Sequence, residues 1–299
     1  MTVELEKVYR RLKTLKIQGA TAVAQAIAEN LILYIQKRQG RLKFKKAADY
    51  LLSARPTEAM AQNGVDYILA PLAATPSSQR KEVIQKKGRE FSQITEKTKE
   101  AIARNGVKLI QSSSVVFTHC HSSSVEGVLK KAKEGGNKFE VINTETRPLF
   151  QGRITAKNLL KSGIPVTMIV DSAGPSFLSW YPKKIDVLMV GADAVLQDGS
   201  TVNKIGSYGL SLAAAQNGVP VYVAASLLKY AFSEIEIERR GPEEIWPNPP
   251  VGLEIINLAF DEIPADYIKG FVTEAGIIKP KDFSKKALEL YPWLNERKI

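Results

Sequence analysis

The only cysteine of the 299-residue chain stands between its only two histidines, in the run Thr118-His119-Cys120-His121-Ser122-Ser123-Ser124. A thiol acts as nucleophile or base only as the thiolate, and a helix N-terminus or a nearby cation favours that form. The serines after Cys120 are good helix caps, and the hydroxyls and amides of such a start also suit a phosphate. A duller use of Cys120 is as a small core hydrophobe. Its place at the end of a β-branched run puts chemistry on an equal footing with packing. Three adjacent residues cannot easily wrap one metal ion and no second cysteine exists, so no metal is expected. His119 and His121 then shape the loop or tune the thiol. A second candidate is the carboxyl of Asp193 in Gly191-Ala192-Asp193, where two small residues allow close backbone approach; a turn or cap is the plainer use. Asn203-Lys204-Ile205-Gly206 offers an amide and an ammonium before a helix starting near Ser207. There is no GxGxxG, P-loop or HExxH pattern, so nicotinamide dinucleotides and ATP are disfavoured and no cofactor is expected.

The elements that must position these groups follow two rhythms. Residues 1–106 read as a helical domain, with Ile17, Ala20, Ala24, Ile27, Leu31 and Ile35 forming one apolar stripe and further helices over about 43–53, 57–72 and 78–105. Residues 107–299 read as a Rossmann-like α/β domain with a mainly parallel sheet. Strands are predicted at 114–118, 139–143, 165–170, 186–190 and 220–224, with helices at 125–133, 155–161, 175–181 and 208–217 between them. Apolar runs at 254–257 and 270–273 could extend the sheet. In such a sheet ligands bind beyond the carboxyl ends of the strands, where Cys120, Arg147, Asp171, Asp193 and Lys229 fall.

The composition narrows the partners. The net charge of +11 is scattered, with no long basic stripe interleaved with aromatics, so nucleic acid is not expected. Solvated helix faces are the plainest account of that charge, and a phosphorylated, anionic substrate is the next best use of the field. One cysteine fits a reducing compartment, no apolar run reaches the roughly 18 residues of a membrane span, and the start is charged. A soluble, cytoplasmic protein with no membrane partner is expected.

Several motifs together resemble archaeal ribose 1,5-bisphosphate isomerases, a group allied to methylthioribose 1-phosphate isomerases and the α, β and δ subunits of translation initiation factor 2B. They are THCHSSS (118–124), TETRP (144–148), QGRITAKNL (151–159), VDSA (170–173), GAD (191–193), VNKIGS (202–207), EIERR (236–240) before PEE (242–244), and AFDEIPADYI (259–268). IQGA (17–20) and ARPT (54–57) match more loosely. The resemblance implies that Cys120 and Asp193 are the catalytic pair of an aldose–ketose isomerase making ribulose 1,5-bisphosphate. Asp193, its pKa raised by burial, would be the acid, and Cys120, its pKa lowered by the helix dipole and its neighbours, the base at carbon. It also implies substrate or phosphate contacts from Gln18, Gly19, Ala20, Arg55, Ser122, Ser123, Arg147, Asn203, Lys204 and Lys229. Gln18 stands where isomerases of the group carry arginine. A homodimer or a trimer of dimers is implied, with AMP as a candidate activator. Two other readings use the same residues: a non-catalytic initiation-factor-like regulatory subunit, or a 5-methylthioribose 1-phosphate isomerase.

Overall fold

The computed structural model describes residues 2–17, 20–37, 41–76, 78–233 and 235–297. Gln18 and Gly19 lie outside the described residues, and Ala20 is described only as the first residue of its helix.

Five helices come first: α1 (Val3–Lys13), α2 (Ala20–Lys37), α3 (Arg41–Leu52), α4 (Ala59–Leu69) and α5 (Arg80–Gly106). Each buries a stripe with three- and four-residue spacing. In α1 the stripe is Leu5, Val8 and Leu12, and Thr2 caps the start by accepting from the Leu5 amide. In α5 it runs from Ile84 through Phe91, Thr95, Thr98 and Ile102 to Gly106. α4 packs against both α2 and α5, so Met60, Val65 and Ile68 are nearly inaccessible. This apolar burial is the main source of the layer's stability.

Beyond α5 the chain alternates: β1 (Val115–Thr118), α6 (Ser123–Glu134), β2 (Glu140–Thr144), α7 (Gly152–Lys161), β3 (Val166–Ile169), α8 (Gly174–Trp180) and β4 (Val187–Val190). Then come β5 (Ala194–Val195), β6 (Thr201–Lys204), α9 (Ser207–Gln216), β7 (Val221–Ala224), β8 (Arg239–Arg240), β9 (Asn257–Leu258) and β10 (Phe260–Ile263). β11 (Gly270–Thr273), β12 (Gly276–Ile278) and α10 (Phe283–Leu290) complete the fold. The main sheet has the order β12-β11-β7-β4-β1-β2-β3, parallel except for β12. The connections after β1 and β2 run toward one edge, and the next returns to the other side of β1. The strand order therefore reverses between β1 and β4, the crevice where open α/β sheets bind ligands.

The α/β class and the five predicted strands, which are β1, β2, β3, β4 and β7, agree with the sequence reading to within one residue at each end. The run 254–257 does not extend the main sheet. Only Asn257 is in a strand, and it pairs with Arg240 in a two-stranded ribbon, because this segment closes the loop that leaves β8. The sheet edge is already occupied by β12. A second, antiparallel sheet, β10-β6-β5, was not foreseen. Among the described residues no helix is long and apolar enough to cross a membrane.

Candidate active site

The exit of β1 is held in an unusual conformation. Cys120 has φ +67°, a left-handed geometry that a non-glycine residue adopts at a cost on the order of 1–3 kcal/mol. Its neighbours hold it there: the Cys120 amide donates to Thr146 Oγ1 at 3.0 Å, and its carbonyl accepts from Thr155 Oγ1 at 2.9 Å. Thr146, at the exit of β2, is itself left-handed at φ +64°. Its amide and that of Arg147 both donate to the Asp171 carboxylate from the exit of β3, at 2.7 and 2.5 Å.

The two histidines take separate roles. His119 is buried, with Nε2 2.9 Å from the Ile205 carbonyl and Nδ1 2.6 Å from Thr144 Oγ1. A carbonyl only accepts, so Nε2 carries the hydrogen and Nδ1 accepts from the threonine. Burial lowers its pKa, and the neutral ring ties β1 to β2 and to the loop before α9. His121 lies against the cleft, Nδ1 3.1 Å from Thr155 Oγ1 and 3.8 Å from Glu126 Oε2. The Thr155 hydrogen is used on Cys120, so His121 Nδ1 donates; burial lowers this pKa also, with Glu126 opposing.

At the exit of β4, Gly191 lets the strand come close to α6. A Cβ there would lie 2.6 Å from Ser122 Oγ, the hydroxyl that caps α6 through the Val125 amide. Asp193 follows, across the switch point from Cys120. Both line one cleft with a cavity volume of about 60 Å³, with Arg55, Ser122, Ser123, Asn203, Lys204 and Lys229 also on its wall. Asn203 Nδ2 donates to Ser207 Oγ at 2.8 Å, and Lys204 Nζ lies 4.7 Å over the Phe260 ring. The buried Lys229 ammonium donates to the Ala192 carbonyl, one residue from Asp193. Its loop is fixed from behind by Glu274, which accepts from Ser226 Oγ, the Leu227 amide and Tyr291 Oη.

Electrostatics departs from the sequence reading at one point. Burial raises the Asp193 pKa, opposed by Lys229, Arg55 and Lys204, in the expected direction. Cys120 was expected to be lowered, yet burial pushes the thiol up to about 11, with Lys204 the strongest opposing influence. The reason is geometric. Ser122 rather than Cys120 caps α6, so the thiol does not sit on the helix amides. Although one side of Cys120 faces the cleft, the surrounding protein strips most water from the sulfur.

Arg147 is not brought to this group. It is exposed, its Nη2 donates to the Ile245 carbonyl at 3.1 Å, and its guanidinium lies 5.1 Å from the Phe150 ring. Residues that sequence reasoning missed include Gln151, Glu238, Arg240 and Phe260 on the cleft wall, with Glu58 behind Arg55. Glu238 and Arg240 come from EIERR, whose alternating charges on an extended segment were a usable signal: Glu238 Oε1 meets Arg240 Nη1 at 2.8 Å. Among the described residues no group of three or more His, Cys, Asp or Glu could hold a metal ion.

The fold and site thus define a Rossmann-like protein with helices ahead of the sheet and a thiol, a carboxyl and several cations in its switch-point cleft. The chain belongs to the initiation factor 2 subunit family, whose model matches residues 16–280. It is 36% identical over 289 residues to a ribose 1,5-bisphosphate isomerase of Archaeoglobus fulgidus, covering 93% of this chain and 90% of that protein. Among solved structures it resembles the translation initiation factor eIF-2B of Pyrococcus horikoshii (TM-score 0.83, 28% identity, 94% of this chain and 98% of that one). It also resembles 5-methylthioribose 1-phosphate isomerase from the same organism (TM-score 0.75, 26% identity, 96% and 88% covered).

Proposed function

We propose that the chain is a sugar-phosphate isomerase that converts ribose 1,5-bisphosphate to ribulose 1,5-bisphosphate. The observation that carries this reading is the meeting of Cys120 and Asp193 in a cleft also lined by Arg55, Lys204, Lys229 and Arg240. Two reactive groups without metal ligands suit proton transfer, and four cations suit two phosphates.

In this reading Asp193 gives its proton to the ring oxygen as the C1–O bond breaks. The Cys120 thiolate removes the hydrogen from C2, leaving an enol between C1 and C2. The thiol returns that proton to C1, and the Asp193 carboxylate takes the proton of the 2-hydroxyl, which leaves a ketone at C2. Both side chains end as they began. The raised Asp193 pKa supports its role as acid. The free thiol holds its proton at neutral pH, so Lys204 is the group that must favour the thiolate. Lys229 and Arg55 hold phosphate, with Ser122, Ser123 and Asn203 toward sugar hydroxyls or phosphate, and Gln18, Gly19 and Ala20 as an N-terminal contact.

An assay offering ribose 1,5-bisphosphate and 5-methylthioribose 1-phosphate side by side tests the substrate. The second compound has one phosphate and an apolar thioether, for which this cation-rich wall offers little. Turnover of neither would favour a regulatory role, to which the likeness to eIF-2B gives weight. We also expect a homodimer or trimer of dimers, read by light scattering, and a higher rate with AMP in the same assay.

A further inference from the structure

At the cleft wall, three neighbouring charged residues carry buried polar atoms with no hydrogen-bond partner: Arg55 Nε and Nη1 and Glu238 Oε2 on the wall itself, and Glu58 Oε2 behind it. Arg55 is 5% exposed and Glu58 1%. Glu58 stands at the start of α4 yet caps none of its amides; it turns instead to Arg55, accepting from Nη2 at 2.7 Å. Arg55 Nε lies 3.7 Å from Glu238 Oε2, too long for a hydrogen bond. A guanidinium with two buried, unfilled donors on the wall of a cleft is built to receive an acceptor.

We propose that an anionic group entering the cleft docks on the free N–H groups of Arg55, and that Glu58 takes up a proton as it docks. This shares with the preceding reading only the assumption that Arg55 meets an anion. A dianion at Arg55 would leave two carboxylates and the ligand around one guanidinium where water is scarce, a strongly repulsive arrangement. One negative charge has to go. Glu238 keeps a second partner in Arg240 at 2.8 Å, whereas Glu58 has Arg55 alone for a hydrogen-bond partner. The other charges facing Glu58 are Asp193 and Glu238, which favour its neutral form, and Lys229, which opposes it. Burial already pushes its carboxyl up to about 7, so the proton is readily taken near neutrality. Glu58 is therefore a positioning residue, governing how much charge Arg55 presents.

Inorganic sulfate is the probe, because it does not titrate near neutrality and any proton consumed must land on protein. Calorimetric titration of the full chain in buffers of different ionisation enthalpy counts that proton. Uptake approaching one proton per sulfate is expected at pH 8 and little at pH 5.5, with affinity falling roughly tenfold per pH unit above 7. Glu58→Gln should abolish the uptake and flatten the pH dependence. Sulfate binding without proton uptake, uptake that survives Glu58→Gln, or binding unchanged in Arg55→Ala would each overturn the proposal. If Glu58→Gln does not fold, the infrared difference spectrum of the wild-type protein with and without sulfate decides: a new protonated-carboxyl band supports the proposal and its absence sinks it. None of these readouts needs turnover, so the result stands apart from the identity of the substrate.

Discussion

The amide of Cys120 donates to the hydroxyl of Thr146 at 3.0 Å, and the two residues close adjacent parallel strands in the same left-handed conformation. Each has a side chain that disfavours this geometry, so the bond holds both in place. Thr146→Ala should lower kcat about tenfold with little change in KM, since the thiol loses its aim but not its neighbours. The cost in stability should be about 1–2 kcal/mol, the usual range for a buried hydrogen bond. Thr146→Ser should recover most of both. Wild-type kcat in Thr146→Ala would mean that the clamp is incidental.

Cys120→Ser should cut turnover by at least about 10²-fold, because a hydroxyl is a far weaker acid than a thiol. Alkylation of the wild type reports the thiol directly. With its pKa pushed up to about 11, the thiolate is scarce at pH 7, so the rate with iodoacetamide should climb steadily from pH 7 to 10. Turnover limited by the thiolate should climb with it. A rate already on a plateau at pH 7 would show that the thiol is activated in the free protein.

Asp193→Asn should lower kcat by about 10²- to 10⁴-fold, the usual size of a lost general acid. The melting temperature separates this from a turn-forming role. Burial raises the carboxyl, so its share of stability is present below the ordinary carboxylate range and is lost as pH rises through the folded-state pKa. An amide has no such loss, so the variant should melt less pH-dependently than the wild type. Equal activity would leave ring opening without an acid.

The same sign governs Glu58. Its contribution is complete below about pH 4.5 and lost as pH rises through about 7, a difference on the order of 3 kcal/mol. Thermal melts of the wild type should therefore show stability declining between pH 5 and 7, more steeply than in Glu58→Gln. Parallel curves for the two proteins would contradict this.

Arg147 and Lys204 make a paired test. Arg147 is exposed and bonded to the Ile245 carbonyl, whereas Lys204 is buried on the cleft wall. Arg147→Ala should change KM less than about threefold. Lys204→Ala should raise KM about tenfold or more, in line with the loss of a charged hydrogen bond. A large effect from Arg147 would mean that its loop swings inward when substrate binds.

The contrast between these two residues also marks what the sequence could and could not convey. Strand ends were readable because β-branched runs such as Val115–Thr118 stop at polar residues, and the parallel-sheet rule turns such stops into site candidates. Which side of a strand exit a side chain leaves from is another matter. Cys120 turns inward through a left-handed φ, while Arg147, three residues after β2 ends, points outward to the Ile245 carbonyl. β6 was hidden because its buried residues Thr201, Asn203 and Lys204 are polar, so the segment reads as a loop. Glu58 was missed for another reason: it falls inside the predicted helix 57–72 and reads as one of its solvated charges, although Arg55 three residues earlier is a legible partner; only packing buries the pair. The shift at Cys120 was misjudged because proximity to a helix start was taken as contact with its amides.

Gly106 ends the 27-residue helix α5 against the sheet layer, where a Cβ would lie 2.5 Å from Val128 Cγ2 and 3.1 Å from Val272 Cγ1. One residue earlier, the Asn105 side chain donates to the Thr273 carbonyl. The place where helices give way to strands along the chain is thus a weld between α5, α6 and β11. With α5 held at this end by both α6 and β11, the change of rhythm along the chain falls inside a packed layer rather than at a linker.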